Sequence, residues 1–190
     1  TTSATRKELN SRIWWAHYSF ERLVSTLTGR PSSTTGYLCS VPLPLPLAAE
    51  DIEESAIRFR FGDKGKRPLM SQGSHISQAT NFSTRQNLDY YATGPEPANS
   101  GSYLKSIVNL GEITQAALEL YSANAVRKSW ESMQRTIAHQ TNELDAWATA
   151  LPEGLNFFHR SSVFEHRYSQ EQNSLDILYQ STRILITRPC

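Results

Sequence analysis

Cysteine is scarce in this chain of 190 residues, which contains only Cys39 and Cys190. The two are far apart in sequence, whereas a zinc site needs several closely spaced Cys or His ligands. The sequence therefore encodes no zinc site, and we expect neither a metal nor another cofactor in this chain. Since no secretory signal is recognised, free thiols in a reducing compartment are favoured over a disulfide between the two.

A surplus of positive charge is also missing, because the formal net charge is only +1. Neutralising several phosphates takes Lys and Arg residues clustered on one face, so this chain is not expected to bind DNA unaided. Long apolar runs are absent as well. The longest, residues 41–49, is interrupted by Pro42, Pro44 and Pro46 and is much shorter than the roughly 20 residues that span a bilayer. We therefore expect no membrane segment.

Alternating apolar and polar residues of the kind that sheets need do not recur along the chain. Apolar residues make up 38% of it, which is enough for one ordinary hydrophobic core. The fold class is predicted to be all-α: one irregular multi-helix domain over residues 1–190, with long loops, forming part of a larger helical domain. Helical spacing predicts helices near residues 5–28, 103–122, 129–151 and 174–188, and residues 62–102 are predicted to be a long loop.

In the first predicted helix, apolar residues recur at intervals of three and four: Leu9, Ile13, Ala16, Phe20, Val24 and Leu27. This spacing places them on one face, which we expect to be buried. Trp14, Trp15 and Tyr18 widen the apolar arc, so this helix is predicted to form the centre of the core. Gly29 is placed to cap its end, and Pro31 prevents its continuation.

The most regular periodicity follows later, at Trp130, Met133, Ile137, Gln140, Leu144, Trp147 and Leu151. Ser129 is placed to cap the start of this helix and Pro152 to mark its end. A coiled-coil dimer seam is one interpretation of the spacing. Two Trp residues at seam positions favour a helix packed within a globular bundle. The prolines at 42–46 are likewise interpreted as a rigid connector rather than as a ligand for a proline-recognition domain.

Three groups of residues, in this order, resemble one protein family. The first is Arg12, Trp14, Trp15, Glu21 and Arg22 with Gly29, Arg30 and Pro31; the second is Leu144-Asp-Ala-Trp147 with Leu151-Pro152; the third is Leu178-Tyr179 with Arg183 and Arg188-Pro189. Together they resemble the fungal-specific transcription factor domain, the regulatory middle region of zinc binuclear cluster transcription factors. Glu21 departs from the commoner Asp, and Cys190 stands where an aromatic residue is usual.

The resemblance implies a regulatory domain that restrains or permits transcription activation in a nuclear protein, in response to a small-molecule effector. The DNA-binding zinc cluster would precede this chain, so zinc and DNA contacts are expected only there. The implied partners are the transcription machinery or repressor proteins, and a second copy in a homodimer. The alternative is a helical protein-interaction scaffold or dimerisation module that binds no ligand.

Two hypotheses concern the charged residues. Buried charges need partners, so Glu21, Arg22 and Arg30 are expected to form ion pairs and hydrogen bonds that hold the Gly29-Arg30-Pro31 turn on the first helix. An effector anchor is the alternative role for these three. If an effector binds, aromatic walls beside a cation favour a small anionic or aromatic molecule. The residues predicted to surround it are Trp14, Tyr18, Arg22, Tyr179 and Arg183.

Catalysis is not predicted. His17 and Glu21 lie four residues apart, as metal ligands or an acid–base pair can, but no third ligand accompanies them. A second group, His159, Glu165 and His166, matches no catalytic motif. No phosphate-binding glycine loop, nucleophile elbow or zinc-protease helix is present in the sequence.

Overall fold

Four α-helices account for most of the computed structural model, which describes residues 3–30, 32, 40–53, 55, 57, 96–122, 127, 129–158 and 168–188. They are α1 (Ala4–Thr28), α2 (Ser100–Leu118), α3 (Trp130–Thr149) and α4 (Ser169–Thr187). Short 3₁₀ turns follow at Ala49–Asp51, Glu119–Tyr121 and Glu153–Leu155. Since the described residues contain no strand element, the all-α fold class is confirmed.

Helix α2 lies at the centre of this arrangement. It packs against α1 and also against α3 and α4. Helices α3 and α4 pack against each other as well. The prediction that the first helix forms the centre is therefore wrong. Small residues along α2, among them Gly101, Ser106, Gly111 and Ala117, are buried and let neighbouring elements approach it on several sides.

The main hydrophobic core is shared by α2, α3, α4 and the segment after α3. Trp147 is 2% exposed there, and its indole N–H donates a hydrogen bond of 3.1 Å to the carbonyl oxygen of Ser106 in α2. Gln140, at the centre of the heptad pattern, donates to the carbonyl oxygen of Ala116. Helix α3 thus packs inside the bundle through its C-terminal half. The buried members of this core include Leu110, Ile113, Ala117, Leu144, Leu155, Phe157, Leu175, Tyr179 and Ile186.

The buried face of α1 is not the one that the apolar periodicity predicts. Ile13 is 68% exposed, Phe20 64% and Leu27 76%. We call this exposed face the outer stripe; it consists of Leu9, Ile13, Ala16, Phe20, Leu23, Val24 and Leu27. The buried face carries two aromatic residues and four polar ones: Glu8, Ser11, Trp15, Tyr18, Arg22 and Ser25. The polar face of α1 is buried, and the apolar face is exposed, because the polar side chains have hydrogen-bond and ion-pair partners inside the fold, as described below.

Helix ends agree with the sequence where a single residue determines them. Gly29 ends α1 in the left-handed conformation, with φ of 65°, which glycine adopts without strain. Ser129 caps α3 by accepting from the backbone N–H of Ser132. Pro152 lies just beyond the end of α3. Pro31 lies outside the described residues.

Two helices begin earlier than predicted. Helix α2 starts at Ser100, because the side chain of Asn99 accepts from the N–H groups of Gly101 and Ser102 in a capping box. The last residues of the predicted loop 62–102 are therefore helical, and residues 62–95 of it lie outside the described chain. Helix α4 starts at Ser169, five residues before the predicted start at residue 174, and Ser174 accepts a hydrogen bond from Tyr103 inside the bundle.

An extended segment, residues 42–47, crosses between α1 and the start of α2, and we call it the strap. Its Leu45 and Leu47 are buried against Ile57 and Ala4. Gly101 lies directly beneath: a Cβ there would lie 2.7 Å from the backbone nitrogen of Leu47 and closer still to the carbonyl oxygens of Leu45 and Leu47. The strap can approach α2 this closely only because residue 101 has no side chain.

We expect Gly101→Ala to destabilise the domain by roughly 1–3 kcal/mol or more, because the clash is with backbone atoms that cannot rotate away. Gly111→Ala is the matched control in the same helix, since its Cβ would meet only side-chain atoms, the ring edge of Tyr18 at 3.3 Å and Cγ of Arg22 at 3.7 Å. Its gain in helix propensity offsets that contact. Urea unfolding of both variants checks this. Equal stability of the two would contradict the packing described here.

Candidate functional site

The inward face of α1 binds the backbone of the strap through polar side chains. The indole N–H of Trp15 donates to the carbonyl oxygen of Pro42 at 2.7 Å, and the hydroxyl of Ser11 donates to the same oxygen. Proline has no N–H, so the proline-rich strap presents mainly carbonyl acceptors. Donors on α1 are therefore the complement that this segment needs.

Arg12 and Glu8 complete the binding of the strap. The Nη2 group of Arg12 donates to the carbonyl oxygens of Leu45 (3.1 Å) and Leu47 (2.7 Å), and its Nε donates to Oε1 of Glu8 at 2.8 Å. The same carboxylate oxygen accepts from the backbone N–H of Leu45 at 3.0 Å. Glu8 is fully buried, and a buried carboxylate needs partners. The guanidinium of Arg12 and the N–H of Leu45 supply them.

Helix α2 holds the strap from the other side. The amide of Asn99 donates to the carbonyl oxygen of Pro46 at 3.1 Å, and the hydroxyl of Ser100 accepts from the N–H of Ala49 at 2.9 Å. Asn99 therefore has two functions, since its side-chain oxygen caps α2 while its nitrogen binds the strap. The strap joins the first two helices through its backbone.

Arg22 and Tyr18 occupy the second half of the inward face. Arg22 is 2% exposed, and its Cζ lies 4.4 Å from the centre of the Tyr18 ring, a cation–π contact. Its Nη1 pairs with Glu21 at 2.9 Å, and Glu21 also accepts from the hydroxyl of Ser32 at 2.6 Å. Burial raises the pKa of the Tyr18 hydroxyl, an effect that neighbouring Arg22 opposes.

Two of the three charged residues predicted to hold the Gly29-Arg30-Pro31 turn interact with each other. Glu21 and Arg22 are paired, and the residue that ties the following chain to Glu21 is Ser32. Arg30 is exposed and makes no ion pair within the described part of the chain. The structure therefore does not bring Arg30 to the other two.

Tyr179 lies in a second cluster, between α3 and α4. Its hydroxyl donates to Asp145 at 2.6 Å and accepts from Nη1 of Arg183 at 3.3 Å. Its ring contacts Phe157 and Phe158, with centroids 5.4 and 5.6 Å away. Burial and the hydrogen bond to Asp145 raise the pKa of Tyr179, so this hydroxyl keeps its proton and donates to the carboxylate.

The predicted effector residues fall into two separate places. Trp14, Tyr18 and Arg22 lie on α1, where the first two pack with Val108 of α2. Tyr179 belongs to the main core, and Arg183 bonds to it from the exposed side of α4. Since α1 packs on α2 rather than on α4, the structure does not bring the five residues into one pocket.

A groove of about 580 Å³ lies between the strap, the start of α2 and the start of α4, and we call it the strap groove. Three carboxylates line it, those of Glu50, Asp51 and Glu171, together with the ring of Tyr168. No sequence pattern predicts this groove, because its walls come from three segments that only the fold brings together.

Of the two histidine groups, only His17 with Glu21 lies within the described residues. Glu21 is paired with Arg22, so it is not a free ligand beside His17. His159, Glu165 and His166 lie outside the described residues. Elsewhere in the described ranges no group of three potential metal ligands occurs.

None of the described helices has the length and hydrophobicity to cross a membrane.

Fold and site together define a helical domain in which aromatic and charged residues of the first helix hold a proline-rich strap. Residues 1–160 match the family described as the fungal specific transcription factor domain, so the chain belongs to that family. The family is a transcription factor domain, a class that is generally not enzymatic. The resemblance in the sequence is confirmed.

Curated relatives are transcriptional regulators as well. The transcription regulator galc of Aspergillus niger is 29% identical over the whole of this chain, which covers 23% of that protein's length. An uncharacterized transcriptional regulatory protein of Schizosaccharomyces pombe is 44% identical over 50 residues, 26% of this chain and 6% of its own length. The chain thus spans about a quarter of the length of the first relative. No solved structure matches it.

Arg12→Lys tests the binding of the strap. Lysine keeps the positive charge, but its compact ammonium cannot reproduce the planar array that joins Glu8 to two carbonyl oxygens. We expect a loss of roughly 1.5–3 kcal/mol in unfolding free energy, measured by urea denaturation. The matched control is Arg135→Lys, which alters an exposed i,i+4 pair with Glu131 and should cost less than about 0.5 kcal/mol. Equal losses would refute the role of Arg12.

Proposed function

We propose that this chain is the regulatory domain of a nuclear transcription factor and that it controls activation by contacts with other proteins. Its family and the transcription regulators related to it support the regulatory role. A net charge of +1 leaves DNA contact to another part of the parent protein, where the zinc cluster would lie. The parent then acts in the nucleus, with the transcription machinery or a repressor protein as partner.

The observation that carries this proposal is the outer stripe of α1. Its side chains form one continuous apolar face along a helix of 25 residues, and Ile13, Phe20 and Leu27 are each more than half exposed. Large contiguous apolar patches on a folded surface mark interaction sites. A helix that is held by polar contacts on one face and is apolar on the other is suited to bind a second protein surface.

Ile13→Asp in the parent regulator tests the proposal, because a carboxylate in the outer stripe disfavours apolar contact. We expect target-gene transcription to change about fivefold or more, the effect of roughly 1 kcal/mol of coupling, without a change in DNA occupancy. The matched control is Ile177→Asp on α4, where Ile177 is 66% exposed against 68% for Ile13. Unchanged transcription in a folded Ile13→Asp protein would contradict the proposal.

Effector binding is a second candidate, and the strap groove favours it. The groove has the volume of a small-molecule site. Its three carboxylates suit a positively charged ligand, whereas Arg22 and Arg183 predicted a small anionic or aromatic one. A molecule bound there would contact the strap, α2 and α4 together. It would thereby couple the packing of the strap to the last described helix.

Thermal unfolding with a panel of small amines, and with carboxylates of similar size, tests this candidate. A ligand that binds only the folded state adds about 2.7 kcal/mol at one hundred times its dissociation constant. We expect amines alone to raise the midpoint, and Glu171→Gln to reduce the effect. Glu153→Gln changes an exposed carboxylate that does not line the groove and should leave the shift intact. The absence of any shift with amines would exclude this site.

A further inference from the structure

The outer stripe also has an internal order that indicates its partner. Six of its members, Leu9, Ile13, Ala16, Phe20, Leu23 and Leu27, follow one another at steps of four and three in strict alternation. This is the heptad spacing of a helix seam, and it continues over three repeats. The stripe lies on the side of α1 opposite to the buried face, so nothing in the α1–α2 packing obstructs it.

We propose that the outer stripe binds the outer stripe of a second copy of this chain, with the two α1 helices antiparallel. This inference rests on the proposed function, because it names the protein that the α1 surface contacts. In an isologous pair, if residue i of one copy contacts residue j of the other, then residue j of the first copy also contacts residue i of the second. The stripe must then be complementary to itself.

The six residues meet this requirement when the twofold axis passes the helix at the level of position 18. Leu9 of one copy faces Leu27 of the other, and Ile13 faces Leu23. At the centre, Ala16 faces Phe20, so the smallest member of the stripe meets the largest in both halves of the pair. Alternation of large and small side chains across a seam is what lets two helices interdigitate without voids. A parallel pair would place Phe20 against Phe20 and Ala16 against Ala16.

The residues beside the seam create no repulsion between fixed like charges. On one flank, Asn10 faces Val24 and His17 faces His17 of the second copy; on the other, Ser19 faces Ser19. Arg12 is directed into the strap, where it binds Glu8 and two carbonyl oxygens, and its seam neighbour is Thr26. Charged residues beside the seam set partner choice in helix pairs. Since no like charges face each other here, the flanking residues allow self-association.

The area of the stripe suits a weak dimer. Leu9, Ile13, Phe20, Leu23 and Leu27 are between 40% and 76% exposed. With about 150–200 Å² for a fully exposed side chain of this size, each copy would bury roughly 500 Å² of apolar surface. The total of about 1,000 Å² is at the lower limit of specific interfaces, so association is expected to depend on concentration.

Sedimentation equilibrium of the chain between about 1 and 100 μM tests the dimer, in the range expected of a small interface. We expect the mass to rise with concentration from 21.4 kDa to twice that value. Ile13→Asp should remain monomeric, and Ile177→Asp should associate like the wild type. Circular dichroism shows that each variant is folded. A monomer at every concentration, or a dimer indifferent to Ile13→Asp, would overturn the proposal.

A charge-complementation experiment identifies a second copy as the partner without placing a charge inside the seam. Because His17 meets His17 across the twofold axis, His17→Glu alone and His17→Lys alone each bring like charges together and should weaken association by about tenfold. An equimolar mixture of the two variants should restore it. A mixture no stronger than either variant alone would contradict the antiparallel register.

The two proposals fail separately. If the chain is monomeric while Ile13→Asp still changes transcription, α1 contacts another protein or another part of the parent protein, and the dimer is refuted. If the chain forms the predicted dimer while transcription is unchanged, the dimer is established and the regulatory role of the α1 surface is refuted.

Discussion

The ion pair between Glu8 and Arg12 is the interaction on which the rest of α1 depends. Both charges are withdrawn from water, and each is satisfied by the other and by the backbone of the strap. Such a pair is costly to bury and costlier to break, since removing one partner leaves an uncompensated charge. It fixes which side of α1 faces the protein. The strap is thereby held between α1 and Gly101 of α2.

Once this orientation is fixed, the surface of the domain follows from it. Trp15, Tyr18 and Arg22 face inward along with Glu8, so the residues between them face outward. The outer stripe is therefore exposed because the buried ion pair and hydrogen bonds hold the opposite face of α1 against the protein. The structural role of the family's first motif and the interaction role proposed for the outer stripe belong to opposite sides of one helix.

Sequence patterns predicted most of the helices and some of their ends. The length of α1, its cap at Gly29, the extent of α3 and the all-α fold class follow from local spacing and from residues that act on their own backbone. The burial of α1 could not be predicted in this way. Apolar periodicity cannot reveal that Arg12 binds carbonyl oxygens 33 and 35 residues away. Likewise, the polar start of α4 carries no apolar signal. Nothing in the spacing of the predicted effector residues indicates that α2 packs against both α1 and α4.

The central claim is that the strap is bound through its backbone by the inward face of α1. Hydrogen exchange at the amide of Leu45 tests it most directly, because that N–H donates to the buried carboxylate of Glu8. We predict that it exchanges only on global unfolding, as slowly as the core amides of α2. Exchange at the rate of an unstructured peptide, in a domain whose helices remain protected, would contradict the account.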